Sequence, residues 1–406
     1  MIATSRAEAE ALDRADPLVG ARNAFVLADG LIYLDGHSLG PATRAALARV
    51  GEAAQRDWAE GLIRSWNDAG WIDLPLRVGA RLAKLIGAEP DEVIVCDSVS
   101  VNLFKLAAAA LPLARRRILL VEEDEFPTDS YVMQGLGDLV GVRCERIASG
   151  RGREALVEQG GVLIRSVVNY RTARCVDIAA YEQAARTAGG VIVWDLSHAT
   201  GVLDLALGAS GARLAAGCTY KFLNGGPGAP AFIHARRDIA EKMRSPLSGW
   251  MGHAAPFAFD VDYAPKPGAA RFAAGTPAIL SLAALAGALD AFEGVDLTAL
   301  AAKARALGDL CLALGAQLGL HSISPERGSE RGGHVSLLHP DGYAVVQALN
   351  ARGVIADFRA PDAMRFGFSP LYVRHVDVWD AMTALGEVLK TRAWDNPAFL
   401  RRAAVT

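Results

Sequence analysis

Only seven of the 406 residues are lysine, and one of them, Lys221, has an unusual setting. It lies in the stretch CTYKFLNGGPG (218–228), behind a run that reads as a strand and ahead of a glycine-rich turn. Such a turn lets backbone come close to a bound molecule. A lysine in a partly dry site loses proton affinity, and its free amine can form a Schiff base with a carbonyl compound. A lysine taken at random is a solvated surface group; the apolar and aromatic neighbours argue against that here.

A second candidate stands 26 residues earlier, in VIVWDLSH (191–198). Asp195 closes an apolar strand, where ligands of open α/β sheets bind. A buried carboxylate there needs a cationic partner, and a protonated pyridine nitrogen is one; the Asp then makes that ring an electron sink. Alone, Asp195 reads equally well as a helix N-cap and His198 as a satisfied core histidine. The pairing with Lys221 favours chemistry.

Three further groups fit a cofactor site. In VCDSVSVN (95–102) a strand runs into a helix start, and backbone N–H groups near Val99 with the Ser100 hydroxyl can hold a phosphate; an ordinary Ser/Asp cap is the alternative. Phe126, Pro127, Thr128 and Asp129 follow the next strand. There an aromatic ring can cover a planar cofactor, or the segment is simply a helix start with Pro127 at its first position. Arg365 lies inside an apolar strand and needs an anion, either a substrate carboxylate or a structural ion-pair partner. No GxxxxGK[ST] or GxGxxG motif supports nucleotide binding.

These residues require a scaffold. Apolar strand candidates at 92–96, 117–122, 142–147, 162–168, 191–194, 213–218 and 231–234 alternate with helical stretches at 100–111, 127–139 and 178–188. Such alternation indicates a mostly parallel sheet of the seven-stranded kind between helices. Upstream, 1–40 reads as an N-terminal arm with one short helix, and 41–65 and 73–87 as helices, the latter closed by Gly87. From about residue 277 the pattern changes to long helices (279–292, 297–318), strands (334–338, 354–358, 364–368) and a last helix (376–390). The expected organisation is an arm (1–40), a large α/β domain (41–276) and a smaller α+β C-terminal domain (277–406).

Composition bounds the partners. A net charge of −3 does not favour nucleic acid or another polyanion as a partner. Five scattered cysteines without a CxxC pair argue against structural zinc or a disulfide framework, so no metal is expected and a reducing, cytoplasmic setting is. The N-terminus lacks the apolar run of a signal peptide, and no uncharged apolar stretch is long enough to span a membrane.

The motifs together resemble one family. CTYKFLNGGPG and IVWDLSHATG are shared across pyridoxal 5′-phosphate (PLP) enzymes of fold type I, the aspartate-aminotransferase superfamily. YLDGHSLGP, GLIRSWNDAGW, FPTD, VNYRT, PLSGWMGH, FAAGTP, GGHVSL and RFGFSPLY follow in the order of a bacterial-type kynureninase, over nearly the whole chain. The resemblance implies a PLP-dependent hydrolase that cleaves L-kynurenine, and 3-hydroxykynurenine, to anthranilate or 3-hydroxyanthranilate and L-alanine, in tryptophan catabolism and NAD biosynthesis. It implies that Lys221 carries PLP as a Schiff base and moves the proton. Asp195 pairs the pyridine nitrogen with His198 beside it, and Tyr220 and His198 are candidates for acid–base steps. Phe126 stacks on the ring, Pro127 to Asp129 and Ser166 line the cofactor, and Val99, Ser100 and Tyr220 reach the phosphate. Trp250 and Thr276 complete the phosphate site from the partner subunit of a homodimer, and Arg365 binds the substrate α-carboxylate. His37 stands where the family motif has Asn, and Val99 where relatives carry a hydroxyl. A cysteine desulfurase or selenocysteine lyase, an aminotransferase, and a non-enzymatic ligand sensor on the same fold are the alternatives. A desulfurase needs a loop cysteine, and the stretch 321–334 has none.

Overall fold

The computed structural model describes residues 2–402. Helix α1 (Arg6–Arg14) starts at Ser5, whose side chain accepts the Glu8 N–H. It docks on the far end of the chain, where Asp13 accepts from the His375 ring at 2.9 Å. Helix α2 (Arg44–Glu52), capped by Thr43, widens into a π-helical stretch over Ala53–Gly61 and then tightens through Leu62–Arg64. The expected single helix over 41–65 is therefore three helical forms in series. Helix α3 (Leu74–Ile86) ends, as the sequence indicates, on left-handed Gly87.

The central sheet has seven strands: β1 (Val93–Val95), β2 (Leu119–Glu122), β3 (Cys144–Ile147), β4 (Val162–Ser166), β5 (Val191–Asp195), β6 (Leu214–Gly217) and β7 (Phe232–Ala235). Their order is β1-β7-β6-β5-β4-β2-β3. Only β7 runs against its neighbours. Six strands are buried along their whole length, as a sheet covered on both faces requires; β3, at the edge, is not. The covering helices include α4 (Val99–Ala110), α5 (Pro127–Val140), α6 (Gly152–Gln159) and α7 (Ile178–Ala188). In the core, fully buried Trp194 donates its indole N–H to Glu182 at 3.0 Å.

Helix α8 (Ile279–Ala288) packs on α2, with Gly287 against the Ala45 backbone. After α9 (Leu297–Gln317) comes an antiparallel sheet of β8 (His321–Ser322), β9 (His334–Leu338), β10 (Asp357–Arg359) and β11 (Ala363–Gly367), ordered β10-β11-β9-β8. Helices α9 and α10 (Gly342–Asn350) pack on it, and α11 (His375–Thr391) packs on both of those helices. The single strand expected over 354–358 is split. Val354–Ile355 pairs in parallel with Ile32–Tyr33 of the arm, and the backbone turns at Ala356, whose N–H is taken by Asn350. Asp357 then begins a strand of the other sheet.

Candidate active site

Parallel strands bring their carboxyl ends to one rim. There Ser166 and Asp195 are register partners on β4 and β5. The chain that leaves β6 returns with Tyr220 and Lys221 beside them. Close approach of the arm holds this turn: the Gly40 N–H donates to the Tyr220 carbonyl at 2.8 Å. A Cβ on Gly40 would sit 2.2 Å from the Lys221 carbonyl.

The rim encloses a cleft of about 140 Å³. Lys221, Asp195, His198, Ser166 and Tyr220 line it, with Phe126, Thr128 and Asp129 from the start of α5 and Val99 and Ser100 from the start of α4. Ten of the residues singled out in the sequence thus surround one space. Pro127 opens α5 but is not on the wall. Thr276 faces a larger adjoining cavity of about 570 Å³, whose wall shares Val99, Ser100 and Tyr220. Trp250 lies outside both, its ring against Phe257 at 5.6 Å.

The Lys221 Nζ meets His198 Nε2 at 2.9 Å and lies 6.0 Å from the centre of the Phe126 ring. His198 is buried and its Nδ1 has no hydrogen-bond partner. Burial, and then the Lys221 charge, hold this imidazole well below its usual range, so it is neutral. Asp195 is buried and makes no ion pair among the described residues; its Oδ1 accepts from the Ser197 N–H at 2.8 Å. Burial raises its carboxyl, while the Ser197 side chain, then Lys221 and the Ser197 amide, pull it back. Asp129 is pushed up further by burial, with Asp195 and Glu125 adding repulsion.

A buried carboxylate that lines a cleft and has no ion-pair partner among the described residues calls for a cation from a ligand. At the opposite end, Ser98 uses its side chain on the Val101 N–H and its carbonyl on Asn102, leaving the Val99 and Ser100 N–H groups as donors at the mouth of α4. A flat ring with a basic nitrogen at one end, a phosphate at the other and an aldehyde beside Lys221 satisfies these groups together. The residues fit pyridoxal phosphate.

Arg365 sits deeper. Its Nε donates to Asp357 Oδ1 at 2.8 Å and its Nη2 to Asp357 Oδ2, with further bonds to Ser38 Oγ at 3.2 Å and the Tyr170 carbonyl at 2.6 Å. The structural ion pair weighed for this residue is therefore present, and one Nη1 N–H is left. The cleft is supported by residues the motifs did not single out. Tyr170 stands on edge to Phe126 at 5.3 Å and lines the wall with Ser197. Behind Ser166, Glu125 accepts its N–H and pairs with Arg165; burial holds Glu125 up to about 7 against that pairing. His334 and His37 stack behind His198. Only His37 drew notice in the sequence, as a departure from a motif.

Comparisons with known proteins agree with this geometry. The profile of the kynureninase C-terminal domain matches residues 300–385. A kynureninase of Burkholderia mallei (strain SAVP1) is 46% identical, covering 99% of this chain and all of that protein. A kynureninase of Pseudomonas fluorescens is 43% identical over the same shares. Among solved structures, the apo cysteine desulfurase of Thermococcus onnurineus NA1 superimposes with a TM-score of 0.78 at 18% identity, covering 92% of this chain and 98% of that one. A C-DES variant with glycine covalently linked to its PLP cofactor also scores 0.78, at 16% identity, covering 90% of this chain and 99% of that one. At such identities these two show the fold, which is PLP fold type I.

Proposed function

This chain belongs to the kynureninase family, and on that premise we propose that it hydrolyses the bond between the β-carbon and the ketone carbon of L-kynurenine, releasing anthranilate and L-alanine. The observation that carries the reading is the Lys221–His198 contact beside a buried, unpaired Asp195. Bound in this cleft, pyridoxal phosphate supplies an electron sink for charge developing at the substrate α-carbon. The Asp195 carboxylate pairs the ring nitrogen and keeps it protonated. Phe126 covers one face of the ring, with Thr128, Asp129 and Ser166 along its edge. Val99 and Ser100 offer backbone N–H groups to the phosphate, and Tyr220 borders that end. The Lys221 Nζ takes the α-proton and returns it, and His198 Nε2 holds that nitrogen in place. Tyr220 and His198 are the candidates for activating the water that adds to the ketone. The last Nη1 N–H of Arg365 serves the substrate α-carboxylate.

The phosphate end is completed in a homodimer, with Trp250 and Thr276 of one subunit at the cleft of the other. Exposed Trp250, Phe257 and Phe259 on one loop support that arrangement. The five cysteines are free, which fits a reducing, cytoplasmic compartment; no helix among the described residues is long and apolar enough to cross a membrane. No cysteine lines the cleft, which weighs against sulfur transfer as the reaction.

The test is to supply L-kynurenine to the PLP-loaded protein and quantify both products. Anthranilate and alanine in equal amounts are expected, with no sulfide from L-cysteine. Sulfide from cysteine, without anthranilate, would overturn the reading.

A further inference from the structure

Lys105 takes no part in the reaction as described, yet it is completely buried. It lies on α4, the helix whose mouth offers the Val99 and Ser100 N–H groups. Its Nζ donates to two partners: Asp97 Oδ2, just ahead of that mouth, and the Phe272 carbonyl at 2.6 Å, 167 residues away in sequence. An apolar side chain of similar volume would fill the space without the cost of desolvating an ammonium. What a buried ammonium adds is direction, because both acceptors must stay where its N–H groups reach them.

Both acceptors belong to stretches that need holding. Asp97 has a φ of 47°, in the left-handed region that residues other than glycine seldom occupy. Such a residue persists only where its surroundings hold it. Here its carbonyl accepts the Ala231 N–H at 2.7 Å, and Lys105 takes its carboxylate. The turn at Asp97 swings the chain from the end of β1, where the Cys96 N–H still donates to the Ala231 carbonyl at 2.8 Å, to Ser98, the cap of α4. Phe272 closes a short helical turn, Gly268–Phe272, and leads through 273–275 into Thr276. The Trp250 turn hangs on the same stretch: the Met251 N–H donates to the Ala274 carbonyl at 3.2 Å, and a Cβ on Gly249 would fall 2.3 Å from that carbonyl. Asp97, Ser100 and Thr276 all line the cavity of about 570 Å³ beside the cleft.

We infer that Lys105 is a positioning residue for the phosphate: it locks the left-handed turn that aims the mouth of α4, and it ties that turn to the segment that carries Trp250 and Thr276. The inference rests on the reading of the α4 mouth as the phosphate end. In the homodimer of that reading, α4 of one subunit and the 250–276 segment of the other meet at each phosphate. Each site then depends on both copies of Lys105, and a variant homodimer loosens both halves at once.

The test compares two ligands, PLP and pyridoxal, which lacks the phosphate, by fluorescence titration of the cofactor-free chain. Lys105→Met keeps the apolar stem and removes the ammonium, and the Asp97 carboxylate, partly exposed, turns to water. The Kd for PLP should rise about tenfold, the scale of one weakened hydrogen bond to a charged group, while the Kd for pyridoxal stays within about twofold of wild type. If that variant does not fold, Lys105→Met/Asp97→Asn carries the test with the same expected result: both charges are gone, and Asn tolerates the left-handed turn. A merely structural role would lower the melting temperature and weaken both ligands alike. A variant with native circular dichroism that loses affinity for PLP and pyridoxal equally, or for neither, overturns the inference. A wild type that binds pyridoxal as tightly as PLP overturns the phosphate reading of the α4 mouth, and the role of Lys105 with it.

Discussion

Replacing Asp195 with Asn separates what the carboxylate costs the fold from what it does for the cofactor. The side chains have the same shape, and Asn keeps an oxygen for the Ser197 N–H now bound at 2.8 Å. In the apo protein the wild-type carboxyl is raised by burial above its ordinary 3.8. The folded state therefore binds the proton more tightly than the unfolded chain. Stability from this group is complete below about pH 4 and falls as pH rises through the folded value. The apo Asn variant lacks that loss, so it should melt no lower than wild type at pH 8, with its relative advantage vanishing near pH 4. With cofactor the sign reverses. A charge-assisted hydrogen bond to the ring nitrogen is worth about 1.5–3 kcal/mol, or roughly 10- to 150-fold in Kd. Turnover should fall by more than binding, because an amide does not keep the ring nitrogen protonated. Fluorescence titration gives the Kd, and thermal melts with and without PLP at pH 4 and 8 give the stabilities. An Asp195→Asn protein that binds PLP as tightly as wild type would refute the pairing.

Four more expectations follow from the geometry. Asp35, held up to about 7 by burial and by Asp357, takes stability away as pH rises from about 4 to 7; Asp35→Asn should raise the melting temperature at pH 8 and leave it unchanged at pH 4. Arg165→Met strands Glu125 and weakens Glu122, both buried, and should cost about 3–5 kcal/mol in urea unfolding; a loss below about 1 kcal/mol would show that the pair is not needed. Gly40→Ala pushes a methyl into the Lys221 carbonyl and Asn224, and should cut turnover by about tenfold or more while unfolding remains cooperative. Arg365→Lys should raise KM for kynurenine while the cofactor band persists, since the bidentate fork is lost.

The sequence exposes what depends on local pattern. The strands of the large sheet are continuous apolar runs, and Lys221, Asp195, Ser100 and Phe126 stand where those runs end, so the cleft could be assembled from strand ends alone. What escaped depends on distant contacts. Helix α6 went unread because its start is fixed from outside: Glu122, 30 residues before Gly152, accepts the Gly152 N–H at 2.8 Å and that of Gly150 at 2.7 Å. Helix α10 carries the run YAVV, buried from Tyr343 through Val346, which has no polar face to mark a helical period. Arg365 had two readings in sequence because its partner, Asp357, belongs to a strand that the pattern merged with its neighbour. The histidine stack was invisible for the same reason, since its members meet only across the join of the two sheets.

The most direct test of the central claim is borohydride reduction of the PLP-loaded protein followed by peptide mapping. Reduction fixes a lysine-bound cofactor permanently. The account predicts the added mass on the peptide that carries Lys221 and on no other, and its absence from Lys221→Ala. A label on any of the other six lysines, or none in a protein that still produces anthranilate, would contradict it.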